Sequence, residues 1–181
     1  YDGTCTASPR TAITATINTI PSITSTSPAA NCGTGSVTLG ATASAGTISW
    51  FAASSGGAAL ATGGSFTTPS ISTTTTYYVE TSNGTCTSAR SAVDASINAI
   101  PSITSTTPAA ICGTGSVTLG ATASAGTISW FAASSGGTAL ATGTSFTTPS
   151  IAASTTYYVE TYDGTCTASP RTAITATVNT I

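Results

Sequence analysis

Five cysteines, Cys5, Cys32, Cys86, Cys112 and Cys166, are the only side chains in this 181-residue sequence whose type and spacing suggest chemistry. Cys32 and Cys86 stand 54 residues apart, as do Cys112 and Cys166. No histidine accompanies them and no pair has Cys-x-x-Cys spacing, so zinc chelation and dithiol redox catalysis lack their usual partners. Disulfides remain, and with them an oxidising, extracellular setting. Only 4% of the residues are charged, with three Arg and neither Lys nor His. The chain therefore has no imidazole for general-base work, no amine for a Schiff base and hardly a carboxylate pair to share a proton. The expectation is a protein that is not an enzyme and needs neither cofactor nor metal. A formal net charge of −2 gives no footprint for nucleic acid. No apolar run approaches the roughly 20 residues of a membrane helix, so no membrane span is expected.

The elements that must hold these cysteines repeat along the chain. Cys32 recurs at Cys112, Trp50 at Trp130 and Pro21 at Pro101, and the stretch Cys32 to Gly57 is identical to Cys112 to Gly137. Residues 1–20 match 162–181, which makes 1–20 the last strand of a preceding repeat, 21–100 one unit and 101–181 a second, one residue longer through Pro170. A period near 80 is domain-sized. Hydrophobic residues make up 40% of the chain, enough for a core, and β-branched residues alternate with Gly and Ser turn formers. Val37, Leu39 and Ala41 share one strand face, as do Ile48 and Trp50, Tyr77 and Val79, and Val93, Ala95 and Ile97. Asn83-Gly84, or Asp163-Gly164, reads as a tight hairpin between the last two strands. With a short strand near Ile23, the pattern predicts an all-β chain of tandem immunoglobulin-like β-sandwiches, about seven strands each.

In such a fold Trp50, Trp130, Tyr77 and Tyr157 are core residues. Phe51, Tyr78, Phe131 and Tyr158 face outward and form a candidate surface for stacking on polysaccharide. Arg90, set opposite Tyr77, is expected to make a cation–π or packing contact. The Thr73-Thr74-Thr75-Thr76 run raises ice binding, which needs a flatter array than a twisted sandwich supplies.

The cysteine pairing has two readings. One-per-repeat bridges would join Cys32 to Cys86 and Cys112 to Cys166. Strand parity, however, puts Cys32 near the C-terminal end of its sandwich and Cys86 near the N-terminal end, farther apart than a disulfide spans. An inter-repeat bridge from Cys32 to Cys166 is favoured, leaving Cys5, Cys86 and Cys112 to pair with repeats elsewhere.

The run Cys-Gly-Thr-Gly-Ser-Val-Thr-Leu, the segment Trp-Phe…Gly-Gly…Leu-Ala-Thr-Gly…Phe-Thr-Thr-Pro, and Thr-Thr-Tyr-Tyr-Val-Glu…Gly-Thr-Cys-Thr-Ser-Ala-Arg resemble the Ig-like surface repeats of Bacteroidota. Such repeats accompany type IX secretion sorting domains in very large adhesins, including SprB-type gliding-motility adhesins. The resemblance implies a structural or adhesive segment of a long secreted cell-surface fibre. Its expected partners are neighbouring repeats of the same chain, with surface polysaccharide or other fibres as further candidates.

Overall fold

Short runs of Val, Ile, Thr and aromatic residues, each cut off by Gly, Pro or Ser, leave the backbone few choices besides extended strands. In the computed structural model, which describes residues 11–180, they form sixteen strands. The first repeat contains β1 (Ile23–Ser27), β2 (Ala29–Cys32), β3 (Thr38–Ala43), β4 (Thr47–Phe51), β5 (Ala61–Thr62), β6 (Ser65–Thr67), β7 (Thr75–Ser82) and β8 (Ser91–Asn98). The second repeats the series as β9 (Ile103–Thr107), β10 (Ala109–Cys112), β11 (Thr118–Ala123), β12 (Thr127–Phe131), β13 (Ala141–Thr142), β14 (Ser145–Thr147), β15 (Thr155–Tyr162) and β16 (Thr172–Asn179). Each series makes a three-stranded and a five-stranded sheet, ordered β1-β3-β6 and β2-β8-β7-β4-β5 in the first. The opening strand splits at Pro28 (Pro108 in the second repeat), a residue with no N–H to continue a ladder. Before it, β1 pairs antiparallel with β3; after it, β2 runs parallel to β8 from Ala29↔Ala95 to Cys32↔Asn98. The fold is all-β, in tandem immunoglobulin-like sandwiches.

Pleat alternation fills the core. Trp50 and Trp130 are fully buried, each indole N–H donating to the carbonyl of Gly63 or Gly143 at 2.9 Å. Trp50 stacks on Phe66, whose ring meets Tyr77 edge-on at 5.1 Å; Trp130, Phe146 and Tyr157 repeat the arrangement. Leu39, Val79 and Ala95 complete the first core, and Leu119, Val159 and Ala176 the second. The many hydroxyls are accommodated by hydrogen bonding. Buried Thr81 donates to the Ala45 carbonyl at 2.6 Å, and Thr68 Oγ1 accepts the Val37 N–H at 3.0 Å. Among the described residues no buried side-chain polar atom lacks a partner.

Gly46 closes the β3–β4 turn at φ +84°, where any Cβ would run into the Ser82 carbonyl, and Gly126 does the same at Tyr162. Packing groups the chain into two compact units. Among the described residues, one gathers 11–28 with Thr38–Phe66 and Thr76–Asp94; the other gathers Ala29–Val37, Thr67–Thr75 and 95–180.

The structure alters three local expectations. The β7–β8 connection is not a two-residue hairpin, because β7 ends at Ser82 and β8 begins at Ser91. The Gly56-Gly57 turn signal reads as leading into a strand from Ala58 to Thr62, but the strand forms only at Ala61–Thr62. The Thr73–Thr76 run is not a flat hydroxyl array: Thr74 Oγ1 accepts the Ile97 N–H, Thr75 bonds the Thr73 carbonyl and Thr76 bonds Asp94. Of the segment read as a preceding repeat's last strand, residues 1–10 lie outside the described residues, and residues 11–20 form no strand.

Replacing Trp130 with Ala removes a buried indole, its hydrogen bond and its stacking partner. Chemical denaturation followed by circular dichroism should show a loss of about 3–5 kcal/mol. A loss under about 1 kcal/mol would contradict the core role of the indole.

Candidate functional site

Cys32 closes β2, and the next residue turns sharply. Gly33 has φ +70° and donates its N–H to the Asn98 carbonyl at 2.8 Å, while a Cβ there would meet Ile100 Cδ1 at 2.8 Å. Asn31 fastens the same turn by donating to the Gly33 carbonyl at 3.1 Å. Cys166 is set by a different device. The Asp163 carboxylate accepts the N–H groups of Thr165 and Cys166 at 2.8 and 2.7 Å, and Gly164 supplies the left-handed residue at φ +96°. Those N–H bonds, that of Cys166 foremost, hold the Asp163 carboxyl below its ordinary value of 3.8.

Cys32 and Cys166 form a disulfide with Cα atoms 5.7 Å apart, inside the usual range. Cys32 Sγ also lies 3.7 Å from the Thr165 carbonyl; a bridged sulfur has no hydrogen to donate, so this is a packing contact. Cys166 is 1% exposed. The one-per-repeat pairs, Cys32–Cys86 and Cys112–Cys166, are not formed. In the second repeat the reason is plain: Cys112 pairs with Asn179 at the end of β16, whereas Cys166 precedes the start of that eight-residue strand. Eight residues of strand span roughly 26 Å. Among the described residues Cys86 and Cys112 are free.

The aromatics expected to offer a sugar platform are covered. Phe51 lies opposite Tyr78, and Phe131 opposite Tyr158, on the sheet face that points away from the tryptophan. Yet Phe51 and Phe131 are buried, because the Arg90 and Arg171 guanidinium carbons sit 3.5 and 3.3 Å from their ring centroids. Tyr78 and Tyr158 are half-buried beside them. Arg90 does not take its expected place opposite Tyr77. The connection, eight residues in the first repeat and nine in the second, shifts the register, and in the second repeat Val159 pairs with Thr172, which sets Arg171 against Glu160. Each Arg Nε donates to its Glu (Glu80 or Glu160) at 2.8 Å. The Nη1 atoms hold the following loop through the carbonyls of Ala53 and Gly56, or Ala133 and Gly136. Strand alternation assigns Phe51 to the correct face but carries no information about what lies over it. The recurrence of the Glu/Arg couple in both repeats is the available signal for this clamp.

A family model for the CHU_C-associated Ig-like domain matches residues 19–98 and again 99–179. The chain belongs to that family. No curated protein matches the Ig-like pair. Among solved structures it is similar to Sidekick-1 immunoglobulin domains 1–4, at 14% identity and TM-score 0.48 over 88% of this chain and 48% of that one. It is also similar to the fibronectin(III)-like modules of Clostridium thermocellum CbhA, at 12% identity and TM-score 0.44 over 89% and 95% of the two chains. The Ig-like pair thus spans about half the length of the Sidekick-1 structure. Tandem Ig-like repeats are typically structural or adhesive modules whose immediate neighbours are other repeats of the chain. A disulfide in such domains is consistent with an extracellular location. Among the described residues no helix is long and apolar enough to cross a membrane.

Two outcomes follow from this geometry. Arg171→Lys has one terminal nitrogen in place of three anchored contacts, so hydrogen exchange across residues 134–140 should accelerate while the Trp130 strand stays protected. Unchanged exchange would contradict the clamp. At Asp163 the folded-state pKa is depressed, so its stabilisation is complete above the unfolded value near 3.8 and is lost as pH falls through the folded value. Asp163→Asn keeps the acceptor that Asn83 already supplies in the first repeat. Its melting temperature should therefore fall less steeply than the wild type's as pH drops below about 4; equal slopes would count against the turn's electrostatic origin.

Proposed function

We propose that this chain is a load-bearing segment of a long secreted fibre on the cell surface, of the kind that serves adhesion or gliding motility, with repeats 21–100 and 101–181 as its units. The observation that carries the proposal is the Cys32–Cys166 bond, which joins residues 134 apart in the sequence. Tension applied at the two ends of the chain follows the covalent path and crosses this bond. The residues between the two cysteines, both tryptophans among them, then lie in a closed loop that carries no end-to-end load. Closing so long a loop also restricts the unfolded chain, a contribution of about 4–5 kcal/mol on the chain-entropy account.

The surrounding chemistry fits this role. Arg90 and Arg171 cover the rings that a carbohydrate platform would expose, so the polysaccharide reading loses two of its four aromatics. Cross-strand hydroxyl pairs, such as Thr24 with Thr42 at 2.7 Å and Thr104 with Thr122 at 2.8 Å, bind the sheets without charge. Export by the type IX route and attachment to the cell surface are supported by the resemblance of the motifs and by the family.

Single-molecule pulling between the chain ends tests the load path. Under oxidising conditions the 134-residue loop should stay hidden. Reduction should add on the order of 450 Å of contour length, at about 3.4 Å per residue. Equal contour lengths in the two conditions would overturn the proposal.

A further inference from the structure

The turn after β7 carries the one Asn-Gly step in the sequence, Asn83-Gly84, and the second repeat has Asp163-Gly164 in its place. The amide and the acid are held alike. Asn83 Oδ1 accepts the N–H groups of Thr85 and Cys86 at 3.1 and 2.8 Å, as the Asp163 carboxylate accepts those of Thr165 and Cys166. The difference lies at the other terminal atom. Asn83 Nδ2 donates to the Thr19 carbonyl at 3.1 Å, a bond that an ionised carboxylate has no hydrogen to make. Asn83, Gly84 and Thr85 are exposed, and the space where a Cβ of residue 84 would stand is open. The Gly84 N–H makes a long bond, 3.3 Å, to Ser82 Oγ.

We infer that Asn83 is a self-modification site: the Gly84 nitrogen deamidates it to the acid that the second repeat already carries, and the Thr19 carbonyl is released. Glycine leaves that nitrogen unhindered by a side chain. Solvent hydroxide removes the Gly84 amide proton, and the nitrogen pair forms a bond to Asn83 Cγ, closing a succinimide ring. The π electrons move to Oδ1, where the Thr85 and Cys86 N–H groups stabilise the charge as an oxyanion hole does. The carbonyl re-forms, the Cγ–Nδ2 bond breaks, and ammonia leaves with a proton from water. Water then adds at Cγ and the bond from Cγ to the Gly84 nitrogen breaks, which restores the Gly84 N–H. The net change consumes a water and releases an ammonia, without oxidant or reductant. Water adding at the other ring carbonyl would give isoaspartate; the two N–H groups polarise Cγ and so direct the opening to aspartate. The acid fits without rebuilding the turn, because Asp163 makes the same pair of bonds. Its oxygen repels the Thr19 carbonyl that the amide held, which frees the segment leading into β1. This chemistry is independent of the fibre reading.

The test holds the full chain in mildly alkaline buffer, native or unfolded in guanidinium, and follows each asparagine by peptide mass spectrometry, with heavy-oxygen water marking the new carboxyl. In the native chain Asn83 should convert roughly tenfold faster than Asn18, Asn31, Asn98 or Asn179, none of which precedes a glycine. The ratio of aspartate to isoaspartate at position 83 should be about threefold higher in the native chain than in the unfolded one. An Asn83 that stays an amide in the native chain while it converts in the unfolded chain overturns the inference. Equal product ratios overturn the part assigned to the two N–H groups. Asn83→Asp reproduces the product and tests the release. Thermolysin should cut this variant before the exposed Ile17 about threefold faster than the wild type, as expected for the loss of one exposed hydrogen bond at Thr19. Equal cutting would overturn the release of that segment.

Discussion

A disulfide demands that two Cα atoms come within a few ångströms, and a β-sandwich keeps its strand ends at separate poles. That constraint decides how these repeats are tied. The parallel pairing of β2 with β8, and of β10 with β16, brings the first cysteine of each repeat to the pole where the final strand ends. The turn after β7 or β15 carries the second cysteine to the pole where that final strand begins. The strand between them is too long to bridge, so a cysteine of one repeat finds its partner in another. The Cys32–Cys166 bond follows from strand order and strand length, and the proposed covalent load path rests on the bond.

A chain with 4% charged residues has few ion pairs with which to fix its surface. It uses two of its three arginines identically, each joined to a glutamate, laid over a phenylalanine and tied to two loop carbonyls. The second repeat keeps this clamp although Pro170 adds a residue just before Arg171. Elsewhere hydroxyls replace charges. Threonine and serine side chains bond each other across strands or cap buried backbone groups, as Thr68 and Thr148 do at the Val37 and Val117 N–H. Hydroxyl pairing of this kind involves no ionic screening, so the sheets depend little on salt.

Much of the fold was legible in the sequence because alternation is a strong signal over six to eight residues. Val37, Leu39, Trp50, Val79 and Val93 all face the core, as their spacing implies. The fate of Phe51 was not legible: alternation assigns a side chain to a face but cannot tell that an arginine in the connection just before β8 will cover it. Asn83-Gly84 misled because the same dipeptide serves a two-residue hairpin and an Asx turn. Here the asparagine side chain accepts two backbone N–H groups and opens a longer connection. The length of that connection sets the register and so the partner of Arg90, and no residue pattern within it reveals where pairing resumes.

The most direct measurement is mass spectrometry of a non-reduced chymotryptic digest of the oxidised chain. A crosslinked peptide pair containing Cys32 and Cys166 is the predicted result. Peptides joining Cys32 to Cys86, or Cys112 to Cys166, would contradict the account at its root.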